Sequence, residues 1–433
     1  MRPSLKTLSL IRKTKSFSFS REETDAYIVE YDGSVYLLKE GKMILKETDA
    51  FFYKKLKEYS KEGDCVGILS GEEFFKRLDE ISTIAINLTD KCNLDCNICF
   101  AKVFRQKEWS IEELKTFLEK IKNRRKLIIL TGGEPTTRPD LPEIIRLVVK
   151  YGNIPHLYTN GIKLADPEYV KELKKAGLRI IHFTLDGLTD ESNATLRGRH
   201  GLLLIKLKAL KNLREMGMKV ILSMTVVDGI NTWEIGNMIR FAAFNNDFIK
   251  GIIIRPLVPQ GRLNIEVNRI LTVSDLIKLA ENQTDFIDMN YLLEFRRLRY
   301  NSYRLIQKIF GKKYARNVSF EHFVSCILKK EGDSLKPAIE YEKLKRINNT
   351  IEEVLRGSRF YTLVSLIKNL PKLWDKELLK LATMGWLSRF NFAKLYEDAF
   401  YLKNRIRVYF SELSTMLNAD FRDGIAVSYT HLT

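Results

Sequence analysis

Three cysteines on one short loop are the residues of this sequence best suited to chemistry. Cys92, Cys96 and Cys99 form a C-x3-C-x2-C pattern directly after an apolar, strand-like stretch, and they are three of the chain's five cysteines. Three thiolates on one tight loop can hold three irons of a cubane cluster and leave the fourth iron open to a ligand that is not protein. The spacing therefore predicts an iron–sulfur site with an open iron.

Two other kinds of site also use clustered cysteines. A structural zinc site is usually closed by four protein ligands, and the next histidine along the chain, His156, is far from finger-like spacing. A ferredoxin-like electron carrier supplies four thiolates per cluster, whereas Cys65 and Cys326 are isolated in the sequence. Zinc binding and pure electron transfer are therefore the less favoured interpretations.

A second motif follows about thirty residues later. An apolar run beginning at Lys126 leads into Gly132, Gly133, Glu134 and Pro135. Two glycines at the carboxyl end of a strand allow close approach of a ligand to the backbone, and the proline stiffens the exit. Alone, this tetrapeptide is a plain turn signal. After a C-x3-C-x2-C loop it indicates a binding site.

The two motifs together resemble those of the radical S-adenosylmethionine (radical SAM) enzymes, over roughly residues 80–262. The resemblance implies that Cys92, Cys96 and Cys99 ligate one [4Fe–4S] cluster, whose free iron is chelated by the amino and carboxylate groups of S-adenosylmethionine. It also implies that the strand end at Gly132, Gly133 and Glu134 contacts the methionine amino group of that cofactor.

One position departs from the usual pattern of these enzymes. The residue before the last cysteine is often aromatic, and here it is Ile98. The resemblance implies that this residue contacts the cofactor through apolar packing and its backbone, which an isoleucine can supply.

The resemblance also implies the reaction class. A reduced cluster donates one electron to the sulfonium, and the 5′-deoxyadenosyl radical released abstracts a hydrogen atom from a substrate. Such an enzyme needs a low-potential electron donor such as ferredoxin or flavodoxin. The sequence identifies neither the substrate nor a catalytic side chain.

The elements around these motifs alternate between apolar strands and amphipathic helices. Strands are predicted at 83–88, 126–131, 154–159, 179–185, 219–226 and 248–257, and helices at 109–123, 141–151, 167–176, 200–216 and 232–245. Asp140 is a plausible N-cap for the second helix. Six such units predict an α/β fold, an open (β/α)6 barrel of the TIM type, whose chemistry collects at the carboxyl ends of the strands.

Several polar residues fall at those strand ends. Strand alternation places His182, Thr184 and Asp186 on one face. The resemblance implies that the hydroxyls of Thr159 and Thr184 contact the cofactor's ribose and carboxylate, although serine is usual at the second position and β-propensity alone also explains a threonine. His182 is more readily interpreted as an interior polar residue than as an acid or base.

Arg255 ends the sixth strand. Its guanidinium could bind a carboxylate of the cofactor or of the substrate, or it could pair with an internal acid.

Outside the barrel, residues 1–80 are predicted to form a small α+β module with a hairpin around Asp32-Gly33 and a short helix near 48–60. The barrel domain is assigned to 81–262. Residues 263–423 form a mostly helical, basic region, in which 291–410 hold 25 Lys and Arg against 12 Asp and Glu. The ending 424–433 resembles translated adapter sequence or a truncated reading frame.

The basic region suggests partners. Stretches 360–374 and 380–408 mix aromatic and aliphatic residues with Lys and Arg, as in helices that lie on anionic membranes or present a patch to nucleic acid, the second being less favoured. A helical cap with a solvated basic side is the simpler alternative. No apolar run is long enough to span a bilayer, so the expected location is cytoplasmic, peripheral to the membrane if the basic helices bind it.

The residues of the cysteine loop also resemble, more weakly, those of the archaeal-type subgroup of tetraether lipid synthases and pterin methylases. That resemblance implies a lipid or other hydrophobic substrate. The alternatives are an enzyme that modifies RNA or peptide and, from another class, an iron–sulfur redox sensor or nucleic-acid-binding regulator. A sensor needs no cofactor pocket, so the Gly-Gly-Glu-Pro motif argues against it.

Overall fold

The computed structural model describes residues 16–18, 26–31, 34–39, 42–47, 83–99, 108–257, 262–267, 269–310, 323–373, 405–411 and 424–427. In the N-terminal module four strands form an antiparallel sheet in chain order: β1 (Ser16–Ser18), β2 (Ala26–Tyr31), β3 (Ser34–Lys39) and β4 (Lys42–Glu47). The antiparallel pairing of β2 with β3 agrees with the hairpin predicted around Asp32-Gly33, two residues that themselves lie outside the described ones. The helix predicted near 48–60 lies outside the described residues.

The central part of the chain consists of six parallel strands. They are β5 (Thr83–Asn87), β7 (Leu127–Thr131), β8 (Ile154–Thr159), β9 (Ile180–Thr184), β10 (Lys219–Val226) and β11 (Ile249–Pro256), and they pair in chain order. A two-stranded ribbon, β6 (Ile98–Cys99) with β12 (Arg262–Leu263), lies outside this sheet. The α/β fold with consecutive parallel strands is confirmed.

Helices connect these strands. They are α1 (Ile111–Lys120), α2 (Leu141–Lys150), α3 (Pro167–Ala176), α4 (Asp190–Arg197), α5 (Leu202–Glu215) and α6 (Ile235–Phe244). The sequence did not predict α4, because its residues are mostly polar and carry little apolar periodicity. Asp140 precedes α2 as predicted, but its carboxylate pairs with Arg138 at 2.6 and 2.9 Å instead of capping the helix.

The two faces of the six-stranded sheet differ in chemistry. The face toward the helices is aliphatic and buried, and it forms the main core with residues such as Ile86, Leu130, Leu157, Phe183 and Leu222. The opposite, inner face carries polar side chains at alternate positions along the same strands. Burial of the aliphatic face drives this arrangement, and the period of two along each strand leaves the inner face for chemistry.

The C-terminal region adds helices and also strands. Four helices, α7 (Val273–Gln283), α8 (Met289–Phe310), α9 (Tyr341–Val354) and α10 (Arg359–Leu373), agree with the helical prediction. Three strands, β13 (Phe323–Glu331), β14 (Ser334–Pro337) and β15 (Arg405–Ser411), extend the sheet beyond β11, with β15 parallel to β11 and β13 antiparallel to β15.

The helical interpretation of residues 405–408 was wrong. Ile406, Val408 and Phe410 are buried and alternate with Arg405, Arg407 and Tyr409, a period of two that a basic amphipathic helix would not show. At the other edge of the sheet β16 (Gly424–Val427), from the segment interpreted as adapter sequence, pairs in parallel with β5. In the part of the chain that the structure describes, no helix is both long and apolar enough to cross a membrane.

Candidate active site

The cysteine loop begins where β5 ends and is anchored by the end of β7. The backbone N–H of Gly133 donates to the carbonyl of Thr89 at 2.7 Å, and that of Glu134 donates to the carbonyl of Lys91 at 2.8 Å. The glycine motif therefore holds the three residues that lead directly into Cys92. Two motifs that are forty residues apart in the chain form one structural unit.

The other side of the loop rests on α4 and on the β6–β12 ribbon. The Asn97 amide donates to the carbonyl of Thr195 at 2.8 Å, and Asn97 accepts at its own carbonyl from Asn264 N–H at 2.8 Å. Ile98 is buried in a small apolar cluster with Leu196, Val227 and Leu257. Ile98 thus supplies apolar packing within the protein, and its contact with the cofactor remains a prediction.

The three predicted ligands lie on this loop as half-buried free thiols. Burial raises the pKa of Cys92 to about 11. It also raises the pKa of Cys96, although the neighbouring Arg197 guanidinium opposes the shift. Among the described residues no three Cys, His, Asp or Glu side chains converge as around one metal ion. In a cubane each thiolate binds a different iron, so its ligands need not meet at one point.

Glu134 is the best-connected acidic group of the site. Its buried carboxylate accepts from Thr136 N–H (3.1 Å), the Thr136 and Thr159 hydroxyls (both 2.7 Å) and Asn160 N–H (2.7 Å). Burial raises the pKa of Glu134, and these donors oppose the rise. All four donors are neutral, so a bound cation would offset part of the cost of burying this carboxylate.

The Thr159 hydroxyl bonds to Glu134, whereas the resemblance implied a contact with the cofactor. Its hydroxyl donates to Glu134 and accepts from Gly161 N–H at 3.0 Å, so in this structure it positions the carboxylate. Its predicted contact with the cofactor's ribose or carboxylate remains a prediction.

The glycines of the motif are required by packing against the cysteine loop. A Cβ on Gly132, whose φ is +140°, would lie 2.3 Å from the Thr89 carbonyl oxygen, and a Cβ on Gly133 would lie 2.5 Å from that of Lys91. The close approach predicted for a ligand is made first by the protein's own backbone. Glycine is needed here because backbone atoms cannot move aside as a flexible side chain can.

We expect Gly132→Ala to lower the free energy of unfolding by about 3 kcal/mol, from the unfavourable φ and the overlap with Thr89. Gly229→Ala is the matched control, because Gly229 has φ +72° and nothing within 4 Å of an added Cβ. It should cost about 1 kcal/mol, the backbone cost alone. Urea unfolding of the two variants measures the difference, and equal losses would contradict the packing role.

A buried charged network that sequence reasoning missed lies at the end of β9. The Asp186 carboxylate, fully buried, accepts from Arg197 Nε at 2.6 Å and Nη2 at 2.8 Å, and from Thr225 N–H at 3.0 Å. Lys206, also fully buried, donates to the Thr184 carbonyl at 2.8 Å. The cations hold the pKa of Asp186 below its usual value despite burial. Asp186 lies two residues beyond the end of β9, and only the fold reveals its hydrogen-bond partners Arg197 and Thr225, eleven and thirty-nine positions further along the chain.

The remaining predicted residues lie along the inner face of the sheet. Thr184 is half-buried on β9, beside Ser223 of β10. Arg255 is buried on β11 in register with Thr225. Arg255 pairs with no acid among the described residues, so the interpretation as the partner of an internal acid is not supported there. Thr184 and Arg255 are several strands from the cysteine loop, across the inner face.

Comparison with known proteins agrees with this geometry. The model of the Radical SAM superfamily matches residues 86–242, which contain both motifs. The GTP 3′,8-cyclase of Aquifex aeolicus is 31% identical over 228 residues, which cover 48% of this chain and 68% of that enzyme. This chain belongs to the radical SAM superfamily.

Two other relatives are matched over a smaller share of their own length. The 7,8-dihydro-6-hydroxymethylpterin dimethyltransferase of Methanocaldococcus jannaschii is 36% identical over 281 residues, 58% of this chain and 55% of that protein. The Fe-coproporphyrin III synthase of Methanosarcina barkeri is 33% identical over 201 residues, 46% of this chain and 49% of that protein. The chain thus spans about half the length of these two relatives. Radical SAM enzymes use a [4Fe–4S] cluster and S-adenosylmethionine, and they require a substrate and a reductant.

Proposed function

We propose that this radical SAM protein is an enzyme that cleaves S-adenosylmethionine reductively at one [4Fe–4S] cluster held by Cys92, Cys96 and Cys99. When bound, the cluster and its cofactor supply the electron and the radical that abstracts a substrate hydrogen. The observation that carries the proposal is the joining of the two motifs: the backbone of Gly133 and Glu134 supports the loop that bears the cysteines.

The residues present fit these groups. Three soft thiolates on one loop suit iron in a sulfur environment. The Glu134 carboxylate, 1% exposed, has only neutral hydrogen-bond donors, so the α-ammonium of the cofactor's methionine would provide the missing positive charge. We assign the methionine end of the cofactor to Gly132, Gly133 and Glu134 on this ground.

The protein's own residues would position the cofactor and exclude water. Thr136, Thr159 and Asn160 fix the Glu134 carboxylate in one orientation, which lowers the reorganisation needed when a cation binds. Asn160 also donates to Asn93 of the cysteine loop at 2.8 Å. The carboxyl ends of β7 and β8 are therefore both linked to the loop by hydrogen bonds. On the inner face of the sheet, we propose Thr184 as a further contact of the cofactor and Arg255 as the contact for a carboxylate of the cofactor or of the substrate.

The test is an anaerobic assay of the reconstituted full-length protein. Reduction with dithionite should give the EPR signal of a [4Fe–4S]⁺ cluster, the signal should shift on addition of S-adenosylmethionine, and 5′-deoxyadenosine should form. A cluster that forms but neither shifts nor cleaves the cofactor would contradict the proposal and favour the redox sensor.

We expect Glu134→Gln to raise the S-adenosylmethionine concentration for half of the EPR shift by about tenfold or more, because a charge-assisted contact is lost. Iron and acid-labile sulfide content report whether the loop still holds its cluster in the variant. Glu143→Gln, on the exposed side of α2, is the control and should bind as the wild type does. An unchanged half-saturation in Glu134→Gln with full cluster content would remove Glu134 from the cofactor site.

A further inference from the structure

Several buried polar atoms on the inner face of the sheet have no hydrogen-bond partner among the described residues. Among the described residues nothing bonds to either ring nitrogen of His156, to Nε2 of His182 or to Nε of Arg255. The three residues are 5%, 4% and 8% exposed. Buried polar atoms are nearly always paired, so unpaired ones on β8, β9 and β11 indicate a place for a ligand's polar atoms.

The rings of this group are packed against one another. The Tyr158 and His182 ring centroids lie 4.1 Å apart with an interplanar angle of 34°, and the His156 centroid lies 5.2 Å from Tyr158 and 6.0 Å from His182. In register along the sheet, Tyr158 of β8 pairs with His182 of β9. These contacts fix flat surfaces and ring edges on β8 and β9 before any ligand arrives.

Both histidines are neutral in this setting. Burial lowers the pKa of His156 to about 3. Burial, together with the positive charge of Arg255, holds the pKa of His182 well below its usual value. A neutral imidazole offers one donor and one acceptor, whereas Arg255 offers donors and a charge.

Aliphatic side chains lie beside the two histidines on neighbouring strands. Ile180 and Ile221 form a small apolar cluster with the partly buried Ile253. Ile180 pairs in register with His156, and Ile221 pairs with His182. The flat face of a ring can therefore contact these isoleucine side chains while its edge atoms bond to the imidazoles.

From these contacts we infer that His156, His182 and Arg255 form a substrate subsite for a nitrogen heteroaromatic that carries an anionic group. The inference rests on the proposed function, because it treats the inner face as the place of the substrate. The heterocycle supplies both donors and acceptors for the two imidazoles, and its anionic group pairs with Arg255. An alkyl chain would leave all of these polar atoms unpaired, so the subsite disfavours the lipid substrate suggested by the sequence.

The experiment is anaerobic equilibrium dialysis of the cluster-loaded full-length protein with pterin-6-carboxylate, a fluorescent heterocycle with one carboxylate. Unsubstituted pterin tests the anionic contact, and oleate tests the lipid alternative. We expect pterin-6-carboxylate to bind more tightly than either. Arg255→Gln should weaken pterin-6-carboxylate by about tenfold and leave pterin unchanged, because only the carboxylate loses a charged partner. His182→Phe should weaken both heterocycles.

Matched controls use the same chemistry outside the subsite. Arg146→Gln, on the exposed side of α2, and His200→Phe, on the exposed turn before α5, should bind both heterocycles as the wild type does. His182→Gln keeps hydrogen-bonding atoms and serves if the phenylalanine variant unfolds. Circular dichroism verifies folding of each protein.

Three results would overturn the inference: no binding of pterin-6-carboxylate, tighter binding of oleate, or binding that S-adenosylmethionine displaces competitively, since that would assign the subsite to the cofactor. Failure of the proposed function is seen separately. Absence of 5′-deoxyadenosine with intact dialysis results would contradict the enzymatic reaction and leave the binding subsite in place.

Discussion

Cys96→Ala should abolish formation of 5′-deoxyadenosine, reducing it by roughly a hundredfold or more, because one of the three protein ligands of the cluster is lost. Cys92→Ala and Cys99→Ala should do the same. The measurement is product formation under dithionite, beside iron content and the EPR signal of the reduced protein. All three predicted ligands lie within eight residues of the loop 88–99, so each variant removes one ligand from the same predicted cluster.

Cys326→Ala is the matched control for these variants. Cys326 is also a free thiol, but it is 1% exposed within the core, on β13. Its replacement removes one sulfur from the chain and should leave cluster content and turnover close to those of the wild type. Loss of the cluster in Cys326→Ala, or its retention in Cys96→Ala, would refute the ligand assignment.

Asp186→Ala should lower the free energy of unfolding by about 3–5 kcal/mol, because it leaves the Arg197 guanidinium buried without its carboxylate. The bidentate pair lies between β9 and α4, and α4 supports the cysteine loop through the Asn97–Thr195 bond. The variant should therefore also incorporate less iron. Thermal and urea unfolding measure the first effect, and iron analysis of the soluble protein measures the second.

Asp247→Ala is the comparison, because it removes a salt bridge of the same length, 2.6 Å. Asp247 accepts from Arg214 at 2.6 Å, but its side chain is 49% exposed, against 0% for Asp186. An exposed pair contributes about 0–1 kcal/mol, so the loss should be several times smaller. The double variant Asp186→Leu with Arg197→Met should recover part of the stability, because an apolar pair leaves no unpaired charge. Equal losses in the two single variants would contradict the role of burial.

The order of strands and helices could be predicted because it follows from the local periodicity of apolar residues. Each central strand is an apolar run such as 219–226, which the structure reproduces as β10, and most of these strands are followed by a helix with an apolar stripe. The predictions failed where tertiary contacts, and not the local sequence pattern, decide the secondary structure. The polar helix α4 is stabilised by capping and by its contacts with the cysteine loop, and β15 is a strand because β11 and β13 pair with it.

The sequence by itself identified the superfamily of this protein. Spacing alone places Cys92, Cys96 and Cys99 on one loop, because residues so close in the chain need no fold to bring them together. Only the tertiary structure joined that loop to Glu134, placed Arg197 on Asp186, and gathered His156, His182 and Arg255 on one face. Such contacts depend on strand register and helix packing, which bring together residues that no local pattern connects.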